Sequence, residues 1–393
     1  MGNTLSASPS SGGQPQKQEV PLKGDEAMIT GMGTEWPSRL IVPEELNDYA
    51  SKIYPDNPPW LQALLKINTK TGIETRPVVD LWDDPRWLGA SPPTAEDVDE
   101  EFRKYSVELS TKAALKALRE SNIEPSSITH IVSVTVTNGG APGFDQFVAR
   151  ELGLSPSAER ILLSGIGCGG GCAALRVAST IASAATYRNQ AARILVVACE
   201  LCSIQIRAEL HASSQSGITG VGPALFSDGA AALVLCNPLG MSDKTPKQFA
   251  VVDQRTGVAP GTLDEMSYKV STHGFLASIS KNIPKLAVAS IKAPFQSLIQ
   301  SNGMSSASPT DFHWALHPGG KAVIQGAQDA LNLPDDALAA SNEIYRTRGN
   351  TSSVAVLAVL DKVRELKLES PNVVACSFGP GLTTEMTLLR RMV

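Results

Sequence analysis

Short apolar runs alternate with longer segments of helical periodicity along most of this sequence. Runs rich in β-branched residues are typical of buried strands, and apolar residues spaced three and four apart are typical of helices. The alternation predicts an α/β protein, and a length of 393 residues predicts two fused domains. The predicted strands are 129–138, 160–166, 192–201, 229–237, 248–256 and 311–317. The predicted helices are 172–187, 319–333 and an amphipathic segment at 350–366, and a hairpin around 379–382 closes the chain.

Composition and charge argue against several classes of protein. The net charge is −5 and no block of Lys or Arg occurs, so nucleic acid is not an expected partner. No uncharged apolar run reaches the roughly 18 residues needed to cross a membrane. The cysteines lack the spacing of a disulfide scaffold and follow no secretory signal peptide, which predicts reduced thiols in a cytoplasmic protein. They are Cys168, Cys172, Cys199, Cys202, Cys236 and Cys376.

The N-terminal stretch differs from the rest of the chain. Residues 1–25 are rich in Ser, Gly, Gln and Pro, which predicts a disordered tail. The opening letters MGNTLS fit the pattern for myristoylation of Gly2, which would give weak membrane association. The alternative is a flexible tail that begins with Met-Gly by coincidence.

Three polar side chains are predicted to lie where a buried strand ends and a helix begins. They are Cys168, His317 and Asn350. In open α/β sheets, ligand chemistry collects at such strand-to-helix junctions. These residues are therefore the first candidates for a functional site.

Cys168 lies in the glycine cluster GIGCGGGC. The N-terminus of the following helix would stabilise a thiolate, and the glycines would leave room for a bulky group on sulfur. The alternative is a buried, inert cysteine at a tight turn. The spacing to Cys172 is poor for zinc, and no metal site is expected. The glycines also lack the acidic residue about 20 positions further on that a dinucleotide-binding turn requires.

His317 and Asn350 have weaker local signals. Pro318 and two glycines end the strand directly after His317. His313 precedes it by four residues, so in a strand it would point to the same sheet face, and the pattern alone does not exclude it. Asn350 is placed at the start of a predicted helix, where Asn is a common cap, so a purely structural role is the strong alternative.

Five ordered motifs resemble those of type III polyketide synthases, the chalcone-synthase-like branch of the thiolase superfamily, and most closely its fungal members. They are GCGGGCAALRVA, GPALFSDGAAALVL, WALHPGGKAVI, RGNTSSVAVLAVLD and SFGPGLTTEMTLLR, and the resemblance spans about 39–393. It implies a thiolase-like fold of two fused αβαβα halves with a five-layered core. One half would cover 26–240 with the nucleophilic cysteine, and the other 241–393 with the histidine and asparagine. It also implies a homodimer that uses no cofactor beyond its coenzyme A thioester substrates.

The resemblance implies a catalytic triad of Cys168, His317 and Asn350. Cys168, ion-paired with His317, would take an acyl group from coenzyme A as a thioester. A malonyl thioester would place its carbonyl oxygen between His317 and Asn350, which would stabilise the negative charge left by loss of carbon dioxide. The resulting enolate would attack the acyl group on Cys168.

Further positions follow from the resemblance alone. Phe226 would be the gate between the coenzyme A tunnel and the cavity, with plain core packing as the alternative. Lys66, Lys70 and Arg76 would bind coenzyme A phosphates, with ordinary surface charge as the alternative. Ala141 would reach into the partner subunit's cavity, where its small size leaves room for a long acyl chain. The cavity wall would include Val136, Thr137, Cys202, Gln205, Ser352, Gly379, Pro380, Gly381 and Leu382.

The wall residues Val136, Cys202 and Gln205 differ from the small hydroxyl residues common in plant members, which argues against a chalcone or stilbene product. The expected substrates are a fatty acyl-CoA and malonyl-CoA, and the expected products are alkylpyrones, alkylresorcinols or resorcylic acids. Three alternatives remain from the sequence. They are a ketoacyl synthase that condenses once, a hydrolase with the same Cys-His-Asn order, and a non-catalytic acyl-binding protein.

Overall fold

A large mixed sheet runs through the computed structural model, which describes residues 18–366 and 370–392. Gly2 lies outside the described residues, so its myristoylation stays a prediction. The strands are β1 (Ala27–Glu35), β2 (Arg39–Ile41), β3 (Arg76–Val78), β4 (His130–Val134), β5 (Glu159–Leu163), β6 (Arg193–Leu201), β7 (Asp228–Cys236), β8 (Phe249–Val258), β9 (Met266–Ser271), β10 (Gly274–Ile279), β11 (His313–Leu316), β12 (Asn372–Gly379) and β13 (Thr383–Arg391). The helices are α1 (Pro43–Ile53), α2 (Pro59–Asn68), α3 (Pro85–Leu88), α4 (Ala95–Ser121), α5 (Phe144–Glu151), α6 (Gly170–Tyr187), α7 (Ile206–Ser216), α8 (Gly222–Leu225), α9 (Ile283–Ala289), α10 (Lys292–Ser301), α11 (Lys321–Leu331), α12 (Ala339–Arg348) and α13 (Ser352–Val363).

The large sheet consists of two halves joined by a short pairing. Its strand order is β11-β12-β13-β8-β1-β7-β6-β4-β5. β1 pairs with β7 along most of its length, whereas its pairing with β8 covers only Ala27 to Ile29. β4 runs parallel to β5 and β6, and β11 runs parallel to β12, so each outer part of the sheet carries helical crossovers.

Two helices, α6 and α13, pack between the half-sheets and share one apolar core with both. α4 covers the outer face of the N-terminal half-sheet, where Thr94 and Asp97 form a capping box at its start. Helices from α9 to α12 cover the outer face of the C-terminal half-sheet. The layers therefore run helix, sheet, helix, sheet, helix, as predicted.

α13 differs from its prediction as an amphipathic helix. Every residue from Ser352 to Leu360 is buried, because α13 lies in the central layer with a half-sheet on either side. A helix in such a layer has no polar face to present to water.

The predicted disordered tail is too long at its C-terminal end. Val20 is fully buried, and its N–H donates to the side-chain oxygen of Asn372 at 2.9 Å. The Arg390 guanidinium donates to the Val20 carbonyl at 3.0 Å. Residues 18–25 therefore dock on the C-terminal half, and composition alone could not reveal these partners.

Two kinds of feature are absent from the described part of the chain. No helix there is both long and apolar enough to cross a membrane. No group of three or more potential metal-ligating side chains is found there either.

Candidate active site

Cys168 lies in a tight turn of Gly167–Gly169 between the end of β5 and the start of α6. Gly167 has φ of +57°, and a Cβ there would lie 2.5 Å from the Pro380 ring. A Cβ on Gly171 would lie 2.3 Å from the Ser353 carbonyl oxygen. The glycines are therefore required because the turn is pressed against the C-terminal half of the chain.

Two side chains from the C-terminal half reach the sulfur of Cys168. Hydrogen bonding from Ser352 and Asn350 lowers the pKa of the thiol, and Ser352 lines the same cavity as Cys168. The Asn350 amide is itself fixed, since its Nδ2 donates to the Gly319 carbonyl at 3.3 Å and its Oδ1 accepts the Ser352 N–H at 2.9 Å. The carboxamide is therefore held in one orientation beside the nucleophile.

The predicted strand before Asn350 is wrong. α12 ends at Arg348 and α13 starts at Ser352, with Thr351 as its N-cap, so Asn350 joins two helices. Its backbone instead forms an isolated bridge with Phe226. Its side-chain oxygen still accepts a hydrogen bond from the N–H of Ser352, the first residue of α13. Asn350 can therefore have a structural role at this helix start and a role in the site at the same time.

His317 directly follows β11 and is 2% exposed. A Cβ on Gly319 would lie 3.2 and 3.3 Å from ring atoms of His317, so the ring packs against this glycine. Since Asn350 donates to the carbonyl of the same glycine, the imidazole and the carboxamide both adjoin Gly319. His313 starts β11, about 13 Å from His317 along an extended chain, and is not part of this group.

Burial shifts the titration of both reactive groups towards their neutral forms. It raises the pKa of the Cys168 thiol to about 11, and the Ser352 hydrogen bond acts in the opposite direction. Burial lowers the pKa of His317 to about 3. Burial therefore favours a neutral thiol and a neutral imidazole in the protein without substrate, rather than the expected ion pair between Cys168 and His317.

A narrow apolar cavity opens beside Cys168. Phe226, at the end of α8, is 9% exposed and forms part of its wall. Four other predicted wall positions also line it, namely Val136, Cys202, Ser352 and Pro380. Sequence reasoning missed the wall contributed by the hairpin β9–β10, because its residues carry no chemical signature. These residues are Met266, Ser267, Tyr268, Ala277 and Ile279.

Two predicted wall residues lie behind the wall. Thr137 donates through Oγ1 to Glu200 at 2.9 Å. Gln205 is fully buried and bridges two segments, because its Nε2 donates to the Thr137 carbonyl at 3.3 Å and its Oε1 accepts the Phe275 N–H at 2.9 Å. Gln205 therefore ties the hairpin β9–β10 to the body of the protein.

Glu200 is a buried carboxylic acid that sequence reasoning did not single out. It accepts the N–H of Val136 at 3.0 Å and the hydroxyls of Thr135 and Ser353. Burial raises its pKa, and these hydrogen bonds oppose the shift. The available signal was a charged residue inside the otherwise apolar run ILVVACEL.

The loop of residues 379–382 and the loop that carries Ala141, the predicted dimer contact, have different neighbours. Gly379 packs against the Cys168 turn, since its N lies 3.4 Å from the position of a Cβ on Gly169. Gly381 has φ of +64°. Ala141 is exposed, and a Cβ on Gly143 would lie 2.4 Å from Leu162 of β5, so this loop adjoins the free edge of the sheet.

Among the predicted phosphate-binding cations, Arg76 does not lie at the surface. It is 3% exposed, and its guanidinium donates to the carbonyls of Pro223 and Phe226 at 2.6 and 2.9 Å. Burial lowers its pKa to about 10. The expectation of a solvent-facing cation is wrong here, because β3 turns the side chain inward to hold the turn of Phe226. Lys66 and Lys70 are exposed.

Comparison with known proteins places the chain in a family. Residues 16–238 match the model for the N-terminal domain of chalcone and stilbene synthases, and residues 251–393 match the model for their C-terminal domain. The chain therefore belongs to this family, and the predicted enzyme class, a type III polyketide synthase of the fungal kind, is confirmed.

Individual relatives agree with this assignment. The chain is 42% identical to "Type III polyketide synthase pspB" of Penicillium soppii, over 92% of this chain and 96% of the relative. It is 36% identical to "Acylalkylpyrone synthase csyB" of Aspergillus oryzae, over 92% and 94%. The crystal structure of CsyB complexed with CoA-SH superposes with a TM-score of 0.90 at 35% identity, covering 93% of this chain and all of that one. The predicted thiolase-like fold is therefore confirmed.

Proposed function

We propose that this enzyme loads an acyl group from an acyl-CoA onto Cys168, extends it repeatedly with malonyl-CoA and closes the chain to a ring. The observation that carries this proposal is the placement of Asn350 and Ser352 on the sulfur of Cys168 at the floor of an apolar cavity. A nucleophile, a hydrogen-bond donor for a developing oxyanion and an apolar wall suited to an acyl chain meet at this point.

Loading requires removal of the thiol proton. As the sulfur of Cys168 attacks the acyl-CoA carbonyl, neutral His317 accepts this proton, and the departing coenzyme A thiolate takes it up. The lowered pKa of His317 keeps the imidazole unprotonated at neutral pH, so a ring nitrogen can receive the proton, but it also makes the imidazole a weaker base. The products of this step are an acyl-Cys168 thioester and free coenzyme A.

Extension begins with decarboxylation of malonyl-CoA. The bond to the carboxylate breaks, carbon dioxide leaves, and the electron pair moves onto the thioester carbonyl oxygen as an enolate. Asn350 Nδ2 and the neutral His317 N–H stabilise this oxygen, and one such donor contributes about 3 kcal/mol. The enolate carbon then attacks the acyl-Cys168 carbonyl, which forms a β-ketoacyl-CoA and releases the sulfur of Cys168 as a thiolate, so no resident cofactor is required.

The cavity supports a fatty starter unit. Its walls are almost wholly apolar, and side chains such as Met266 and Ile279 suit an alkyl chain. A relative carries the name acylalkylpyrone synthase, and we therefore place alkylpyrones first among the products, before alkylresorcinols and resorcylic acids. The exposed Lys66 and Lys70 would bind phosphates of coenzyme A, and the free cysteines fit a cytoplasmic location.

A homodimer is part of this proposal. β5 is the edge of the large sheet, and its Leu162 is 37% exposed. Pairing of two such edges would bury this leucine and bring the adjacent loop with Ala141 towards the partner subunit.

Product analysis from a panel of acyl-CoA starters with malonyl-CoA tests the function. Wild-type enzyme should form alkylpyrones or resorcinols, and Cys168→Ala should form none. Cys172→Ala is the matched control, because this cysteine is buried in α6, is absent from the cavity wall and should leave the product spectrum unchanged. A single ketoacyl product would instead indicate one condensation, and products from Cys168→Ala would refute the proposed nucleophile.

A further inference from the structure

A buried glutamate on α7, Glu209, adjoins a strand that forms part of the cavity wall. Glu209 is 7% exposed and borders a second pocket, together with residues 276–279 of β10. Two of these residues, Ala277 and Ile279, also line the cavity beside Cys168. β10 is therefore shared by the pocket that holds Glu209 and the cavity that holds the nucleophile.

The carboxyl group of Glu209 also packs against α8, the short helix before Phe226. A Cβ on Gly222, the first residue of α8, would lie 2.1 Å from Oε2 and 2.8 Å from Cδ of Glu209. The Phe226 N–H donates to the carbonyl of the same glycine at 3.0 Å. The carboxyl group therefore occupies the space that Gly222, without a side chain, leaves beside the turn of Phe226.

This carboxyl group is buried and only partly hydrogen-bonded. Burial raises the pKa of Glu209 to about 8, and hydrogen bonding from the Ala277 N–H acts in the opposite direction. Among the described residues, Oε2 has no hydrogen-bond partner. The neutral acid is therefore the form that this environment favours at pH 7, because a buried carboxylate requires a cation or several donors.

The neighbouring elements supply no cation. α8 and β10 carry no titratable side chain. Tyr268 of β9 and Cys202 interact electrostatically with Glu209, and burial raises the pKa of both. On α7 itself, the Arg207 guanidinium donates to two backbone carbonyls after α3, at 3.0 and 3.2 Å. The His211 ring packs against another histidine ring in the β9–β10 turn, with 5.3 Å between the centroids.

We infer that Glu209 is a positioning residue whose carboxyl group sets the width of the reaction cavity, by holding β10 and the turn of Phe226 in one arrangement. This inference rests on the proposed function, in which the same cavity takes the acyl chain. Loss of the proton would leave a buried anion without a partner, and water could reach it only if β10 or this turn moved. The wall should therefore loosen when Glu209 ionises.

Two alkylation rates at Cys168 test this inference without polyketide synthesis. N-methylmaleimide and N-octylmaleimide react with the same thiolate, so the octyl-to-methyl rate ratio reports the room beside the sulfur. Glu209→Leu removes the acceptor for the Ala277 N–H and should raise this ratio roughly five-fold. Glu209→Gln keeps an acceptor oxygen and should retain the wild-type ratio at pH 7. Peptide mapping confirms that Cys168 is the residue modified.

The pH dependence separates this role from a purely structural one. Between about pH 7 and 9 the rate ratio should rise in the wild type, because Glu209 loses its proton in this range. It should stay level in Glu209→Gln, which has no proton to lose. Glu101→Gln is the matched control, since Glu101 is also a buried glutamate on a helix but pairs with Arg86 and is absent from the cavity wall. This control should follow the wild type at every pH.

An unchanged or lowered ratio in Glu209→Leu would overturn the inference, as would an equal rise with pH in the wild type and Glu209→Gln. A raised ratio in Glu101→Gln at pH 7 would also overturn it, because general loosening would then explain the effect. With acyl-CoA starters of increasing length, Glu209→Leu should shift the products towards longer chains. If the alkylation ratios behave as expected but the wild type forms no polyketide, the proposed function fails and the role of Glu209 in the cavity stands.

Discussion

The turns that carry Cys168 and His317 are both rich in glycine, yet they are packed very differently. In the first turn, a Cβ on Gly171 would lie 2.3 Å from a backbone carbonyl of α13. In the second turn, Gly320 has no atom within 4 Å of the corresponding position, and Gly319 meets only the His317 ring. The first turn is fixed by contacts between the two halves, whereas the second leaves open space beside the imidazole.

This difference shows that glycine has two separate roles in one active site. Around Cys168 it allows two segments of backbone to approach closely, which holds the nucleophile against Asn350 and Ser352. After His317 it leaves the imidazole without a side chain pressed against it from Gly319. Substitutions in the two turns should therefore have different consequences for stability and for catalysis.

The largest effect is expected for Gly171→Ala. The added methyl group would overlap the Ser353 carbonyl oxygen and Val356, and neither can move without displacing α13. We expect a loss of about 3 kcal/mol in the free energy of unfolding, measured by chemical denaturation. Gly320→Ala is the control and should stay within about 0.5 kcal/mol of the wild type, since its extended backbone accepts any residue. An equal loss of unfolding free energy in both variants would show that the two turns are packed equally tightly.

The next effect concerns pH and His317. Burial lowers its pKa to about 3, so in the unfolded chain it gains a proton near pH 6.5 that the folded state does not bind. Stability should therefore fall as the pH decreases, by about 2 kcal/mol from this residue between pH 6.5 and 5. His317→Gln should lack this part of the pH dependence in denaturation curves recorded across that range. An unchanged slope would show that His317 titrates normally in the folded protein.

The smallest effect separates the two glycines of the second turn. Gly319→Ala would place a methyl group 3.2 Å from the imidazole, so the ring must shift by a few tenths of an ångström. We expect a roughly ten-fold fall in kcat/KM with little change in stability, because catalysis depends on the position of this ring. Gly320→Ala should keep wild-type kinetics. A normal rate in Gly319→Ala would mean that the ring position tolerates this shift.

The structure shows why some site residues were predictable and others were not. Cys168 was visible because a thiol in a glycine cluster before a helix is an unusual local pattern. Arg76 was wrongly predicted to face solvent, because a charged residue in a short segment does not reveal whether its strand directs the side chain into the protein. Tyr268 was missed because its place in the cavity wall depends on how the hairpin β9–β10 packs, which Gln205 fixes through Phe275.

The sequence by itself determined the alternation of strands and helices, the tight turn at Cys168 and the chemical groups available for the reaction. These features depend on periodicity and on residues close together in the chain. Only the tertiary structure decided that Asn350 lies beside the sulfur and that Arg76 lies inside. Contacts such as that between Glu200 and Ser353 join residues far apart in the chain, and they are set by packing of the two halves rather than by any local pattern.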